Sequence, residues 1–294
     1  MINFRFHLVS LAATLIALAA GVALGSGPLD DTGDSLRGDD TTSQRAIDPG
    51  LAAFESGYAG RTSAGLLDDK LKGQTIVVLT VPGTSAAEVK GITSNLEAAG
   101  GEVTGEVNLT SRLLDASGRQ FAEGVAQQAA EDVPGVGAAG DSYGRIGSAL
   151  GRALLADKAA APDQTAGTIR SAFAEGKLIT LTKAPAKLAT LAVLVTGPER
   201  AGGSDQSTVI AALSGALNGT AKGVVVAGPS SSSTDGGAVK AVRDSDFATE
   251  VSTTDVTDTA SGRVVTALVA AAQAGGQPGA WGTSRSGSGA VPAS

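Results

Sequence analysis

The 294-residue chain has a mass of 28.7 kDa, 41 glycines and nine aromatic residues, and is 42% hydrophobic against 17% charged, which excludes a disordered polyelectrolyte. Its net charge of −7, from 22 basic and 29 acidic residues, denies it the basic face that a nucleic-acid partner requires. There is no cysteine, and His7 and Met1 are the single histidine and methionine, so disulfides, thiolate metal centres, iron–sulfur clusters and any histidine-based triad beyond residue 7 are excluded.

Residues Leu8 to Leu24 form a charge-free apolar run that begins after Arg5 and His7. Seventeen positions meet the lower end of the roughly 17–25 residues that a spanning helix needs. Leu8, Leu11, Leu15, Leu18 and Leu24 are its anchor residues. The basic start, with Asp30, Asp31 and Asp34 beyond, predicts an amino end in the cytoplasm and the rest of the chain outside it. Ala23-Leu24-Gly25 would serve as a cleavage site. The run is long for a secretory signal, so an uncleaved anchor over residues 1–25 is the favoured of two readings.

Residues 26–65 read as a flexible acidic spacer rich in Gly, Asp and Thr. Six aspartates lie between Asp30 and Asp48, apolar heptads are missing, and Pro49-Gly50 interrupts all but a short helix over Leu51 to Tyr58. Residues 66–275 read as an α/β domain. Thr75 to Val81 is a β-branched run ending in Pro82-Gly83. Ser85 and Glu88 form a capping box before a helix carrying Val89, Ile92, Leu96 and Ala99, and Glu102 to Thr110 alternates as a strand. The stretch Leu113 to Leu188 is mostly helical patches. Strands follow at Leu191–Thr196 and Gly223–Ala227, then one near Ala248–Ser252. They are separated by helices at Gln206–Leu217, Gly237–Val242 and Ser261–Ala274. Fully apolar strands alternating with helices predict a parallel sheet covered on both faces. Residues 276–294, rich in Gly, Ser and Pro, read as a disordered tail.

Ligands of open α/β sheets bind at the carboxyl ends of the strands. That makes Gly83, Gly197, Gly228 and Ser230 the candidate ligand-loop residues, with the hydroxyl run Ser230 to Thr234 placed to hold an anion at a helix amino end. Gly and Pro are also ordinary turn formers, and neither a G-x-G-x-x-G nor a Walker lysine motif accompanies them. Tyr143 and Trp281 are candidate exposed aromatics for a partner surface. Asn108-Leu109-Thr110 and Asn218-Gly219-Thr220 match the glycosylation pattern at chance level.

Four blocks in order carry a resemblance: HLVSLAATLIALAAGVALGS at the start, LKGQTIVVLTVPG, LEAAGGEVTGEVNLT, and VSTTDVTDTASGRVVTALVAAAQAGGQPGAWG near the end. The chain resembles the actinobacterial copper transporter family typified by mycobacterial copper transport protein B. The resemblance implies an envelope protein with one amino-terminal membrane segment, a coiled-coil stalk and an extracytoplasmic α/β domain. It further implies a part in lowering intracellular copper, channel formation in the outer membrane, and a second context as an anchored partner in envelope assembly and cell separation. Residues 26–65 depart from it by lacking the heptads of a stalk.

Copper prefers sulfur or imidazole ligands, which the chain beyond His7 does not offer. Met1, His7 and the weaker oxygen donors Asp30, Asp31 and Asp34 are the candidate metal contacts, and copper is expected as a transported ion rather than a cofactor. Continuously apolar strands suit a soluble sheet and not a transmembrane barrel, so conduction would require an oligomer. The chain is therefore expected to be no enzyme and to need no cofactor. Its expected partners are a membrane and either copies of itself or an envelope protein, with no nucleic acid among them. Its expected place is the cell envelope, anchored in the inner or the outer membrane with the carboxyl-terminal domain extracytoplasmic. Two functions stay open: copper efflux or homeostasis, and a non-transport scaffold for envelope assembly or cell separation.

Overall fold

In a computed structural model, the structure describes residues 48–131, 133–134, 136, 141–198 and 204–293. The apolar run Leu8–Leu24 and the spacer before residue 48 lie outside them. Among the described residues no helix is long and apolar enough to cross a membrane.

β1 (Thr75–Thr80), β4 (Leu191–Val195) and β5 (Gly223–Ala227) are buried at every position. They pair in parallel, Leu79 beside Leu194 and Leu194 beside Val226. The sheet extends to seven strands in the order β3-β2-β1-β4-β5-β6-β7, with β2 at Glu102–Leu109, β3 at Ile179–Lys183, β6 at Ser252–Thr254 and β7 at Ala280–Trp281. This is a doubly wound order whose direction of travel reverses between β1 and β4. The parallel sheet expected from the sequence is present, with one addition. β3 pairs antiparallel to β2 at the edge, in a stretch read as helical patches. Four of its five positions are not buried, so it lacks the apolar run that marks the central strands.

Alternate side chains feed two cores. Val77, Leu79, Ala192, Leu194, Val224 and Val226 face α4 (Arg119–Ala129), α5 (Ser142–Leu154), α6 (Gln164–Glu175), α7 (Ser204–Asn218) and α8 (Ala238–Arg243). Phe173, Ile146, Leu150 and Leu213 fill that layer. On the opposite face Ile76, Val78, Leu191, Val193 and Val225 pack under α1 (Pro49–Leu67), α2 (Ala86–Ala98) and α9 (Ala260–Ala274) through Leu67, Ile92, Leu96 and Ala267. A single turn, α3, spans Ser111–Leu114.

β2 changes faces along its length. Ile76 pairs with Val103 but Val77 pairs with Gly105, so Thr104 is an extra residue whose hydroxyl donates to the Ile76 carbonyl at 3.2 Å. Because strand side chains alternate with period two, this bulge moves everything after it to the other side. Val103 joins the α2 core while Val107 and Leu109 join the α5 core. Glu106 and Asn108 are thereby turned toward α2.

Three local expectations change. The short helix expected over Leu51 to Tyr58 runs instead from Pro49 to Leu67. Pro49-Gly50 starts it rather than breaking it: proline suits the first turn, and Asp48 Oδ1 accepts from the Gly50 amide at 2.8 Å. The expected boundary at residue 65 thus falls inside α1. Ser85 caps α2 by accepting from Glu88 N, but the Glu88 carboxylate does not return to complete a capping box; it accepts from Thr257 Oγ1 at 2.6 Å.

The third change concerns the expected disordered tail, of which residues 276–293 are described. β7 pairs with β6, and the loop after it is gripped by a buried ion pair. Arg243 Nη1 and Asp255 Oδ2 are 2.9 Å apart, both side chains almost fully buried. Asp255 also accepts from Thr283 N at 2.7 Å and Ser284 N at 3.2 Å, and Arg243 Nη2 donates to the Trp281 carbonyl at 3.0 Å. Gly282 has φ +128, and a Cβ there would meet Asp255 Oδ1 at 1.9 Å. Gly/Ser composition permits this path because it lets backbone amides approach the carboxylate.

Removing one member of a buried pair strands the other, at about 3–5 kcal/mol. Arg243→Leu is expected to lower the unfolding free energy in urea by that amount while leaving far-ultraviolet circular dichroism folded. A loss below about 1 kcal/mol would place the pair among ordinary surface contacts.

Candidate functional site

The carboxyl ends of β1, β4 and β5 meet at the reversal point of the sheet, where the four ligand-loop candidates were expected. The structure brings three of them close and shuts the gap between them. Gly83 has φ +91, and a Cβ on Gly197 would come within 2.8 Å of the Gly83 carbonyl oxygen. Thr84 Oγ1 bridges the two strand ends, donating toward the Val81 carbonyl at 2.8 Å and the Val195 carbonyl at 3.0 Å. A Cβ on Gly228 would lie 2.4 Å from both Ser232 Oγ and Thr196 Oγ1. What remains is a crevice of about 40 Å³ lined by Val81, Thr196, Gln206 and Ser207 among others. That is room for a few waters and not for a cofactor. The buried Thr196 hydroxyl has no partner there among the described residues.

Ser230 begins the hydroxyl run two residues after Gly228. Its amide and hydroxyl both reach Asp258 Oδ2, at 3.4 and 2.8 Å. Ser232 and Ser233 hydroxyls donate to carbonyls within the same turn. A carboxylate of the protein itself thus sits at the start of the hydroxyl run.

A larger opening lies beside the closed point. A groove of about 720 Å³ runs between α2 and the ends of β1, β2 and β3. Its floor is a polar chain across three strands: Thr80 Oγ1 donates to Asn108 Oδ1, and Asn108 Nδ2 donates to Thr182 Oγ1 at 2.9 Å. Glu106 sits next on the same face of β2. The α2 wall carries Val89, Lys90, Thr93 and Ser94. The sequence reading missed this site because it depends on the Thr104 bulge, which spacing alone does not reveal. Alternation marked Glu106 and Asn108 only as the exposed side of a strand. The Asn108 amide is committed to the floor and Asn218 Oδ1 accepts from Val224 N at 3.1 Å, so both chance glycosylation matches have structural work.

Tyr143 and Trp281, expected as exposed aromatics, are partly buried and packed against the two cores. Burial pushes the Tyr143 phenol above its ordinary pKa. Among the described residues the most exposed aromatics are on α1, where Leu51, Phe54 and Tyr58 are 62%, 69% and 62% exposed at i, i+3 and i+7. The Phe54 and Tyr58 rings stack at 6.3 Å. On its other side α1 is tied to α9: the Glu55 carboxylate accepts from the Ala260 amide at 3.1 Å and from the Ser261 amide, while Thr259 caps Gly262. Burial raises the Glu55 pKa, but the Ser261 and Ala260 hydrogen bonds and the Arg263 charge outweigh it and hold the carboxyl below its ordinary value.

Met1, His7, Asp30, Asp31, Asp34 and the anchor leucines lie outside the described residues. Among the described residues no group of three or more His, Cys, Asp or Glu is placed to hold a metal ion.

The model of the family described as "Copper transport outer membrane protein, MctB" matches residues 1–292. The chain is similar to proteins named copper transporter MctB from Mycobacterium tuberculosis and Mycobacterium bovis, each 31% identical over 290 residues, covering 91% of this chain and 91% of the relative. The Mycobacterium leprae protein of the same name is 30% identical over 303 residues, covering 91% and 92%.

The closed reversal point yields a test. Gly228→Ala forces a methyl group against two hydroxyl oxygens and is expected to cost about 1–3 kcal/mol, read from urea unfolding. A neutral or stabilising result would show that the strand ends can part and that the crevice is open to ligands.

Proposed function

This chain belongs to the MctB family of copper transport outer membrane proteins, and we propose on that premise that it contributes to copper efflux or homeostasis as a membrane-anchored, extracytoplasmic envelope protein. The observation that carries the reading is the match along nearly the whole length, from residue 1 to residue 292, which takes in the apolar leader as well as the sheet. The anchor is the run Leu8–Leu24, with the α/β body beyond it.

The chemistry of the body supports a role in assembly rather than in holding the ion. Oxygen donors alone select copper poorly, and the chain supplies no thiolate. It has no imidazole–base pair for hydrolytic catalysis either, and on our reading it is not an enzyme and carries no resident cofactor. Copper is cargo that passes an assembled envelope complex. The apolar stripe Leu51, Phe54 and Tyr58 on α1 supplies the contact for that assembly: its spacing matches one face of a helix, and large side chains exposed together mark an interaction surface. Self-association through α1 is the form we favour. The same stripe also suits a different envelope protein, which is the scaffold reading.

A deletion strain is expected to be copper-sensitive with ordinary cell shape, scored by growth on a copper gradient and microscopy. Chained or lysis-prone cells with unchanged copper tolerance would replace efflux by the scaffold. Titration of the purified full-length chain with Cu(I) against a competing chelator is expected to find no submicromolar site; such a site would overturn the ligand argument. Phe54→Asp with Tyr58→Asp is expected to shift the detergent-solubilised protein to monomer in sedimentation equilibrium without lowering its thermal midpoint. An unchanged mass would remove α1 from the assembly.

A further inference from the structure

The groove between α2 and β2 holds two opposite charges that do not meet. Lys90 lies on the helical wall and Glu106 on the sheet, and neither makes an ion pair or hydrogen bond among the described residues. The basic neighbour of Glu106 across the strands, Lys183, is engaged elsewhere, its Nζ donating to the Val103 carbonyl at 2.8 Å. A third group is idle as well: the Thr93 hydroxyl lines the groove, its oxygen is buried, and it has no partner. The floor, by contrast, is fixed. Asn108 is held from both sides by Thr80 and Thr182, and Thr84 and Thr110 spend their hydroxyls on backbone carbonyls.

A rigid floor with free polar groups above it is the arrangement of a binding site. We propose that this groove binds a small zwitterion, its ammonium group on Glu106 and its anionic group on Lys90, with Thr93 completing the polar contacts. The aliphatic part of the lining comes from Val81, Pro82, Ala86, Val89 and Leu109, beside Ser94 and Ser111. No aromatic ring lines the groove, so there is no stacking platform for a nucleobase. Small aliphatic side chains fit that wall, and the groove volume exceeds that of a single amino acid, which points to a short peptide with free termini. An aminoalkyl phosphate headgroup offers the same pair of charges from a lipid source. The site is independent of the copper reading, and either stands if the other falls.

Isothermal titration of the full-length, detergent-solubilised chain tests it, with trialanine and glycerophosphoethanolamine as probes. Trialanine is expected to saturate with a Kd below about 1 mM. Acetylating its amino end or amidating its carboxyl end is expected to weaken it at least tenfold. Glu106→Gln should weaken trialanine to the level of the acetylated peptide, and Lys90→Met to that of the amidated one, with both variants keeping the wild-type thermal midpoint. Saturation by glycerophosphoethanolamine instead, with the same dependence on Glu106 and Lys90, supports the site and names a headgroup as its source. Binding of neither probe, equal binding of blocked and free peptides, or binding indifferent to both substitutions overturns the proposal.

Discussion

Three adjoining strands with no exposed position govern this molecule. β1, β4 and β5 present apolar side chains to both faces, so the sheet cannot be left bare on either side. Two helical layers follow from that requirement, and the polar chemistry is driven to the strand ends and the sheet margins. At the reversal point the ends are drawn so close that glycine is needed at positions 197 and 228. The consequence is a seam where an α/β protein often has a cleft, and a groove one strand further over.

The central strands were legible because a run such as Thr75-Ile76-Val77-Val78-Leu79 has few alternatives to a buried parallel strand. The helices between them were legible from their apolar spacing: Ala260–Ala274 and Ala238–Arg243 each lie within about one residue of expectation. β3 was not, since its alternation spans only Ile179 to Thr182 inside a stretch read as helical patches, and the strand exists through its pairing with β2. The same holds for α1, whose first turn relies on Asp48 and Pro49 and whose place relies on Glu55 capping a helix more than two hundred residues away.

The site shows the limit more sharply. Candidate glycines were found because strand ends are visible in sequence, and the structure places Gly197 and Gly228 where those ends close together. Glu106 was visible only as a solvent-facing residue, since an inserted Thr104 decides which face it takes. The hydroxyl run at Ser230 was expected to suit an anion. What sequence distance hid was that Asp258 supplies the anion from within. Family membership and physics divide the remaining question: membership names copper, while assembly through α1 is our proposal.

The clamp made by Arg243 and Asp255 has a bearing on biogenesis. Its two charges are translated before Trp281, Thr283 and Ser284, whose backbone groups complete it. A nascent chain halted after α9 would leave the Asp255 carboxylate open to solvent and lacking two of its donors, and its sheet would end at the three-residue β6. Completion of the native state is thus deferred until the last strand has been delivered, so prematurely terminated products remain open at that margin.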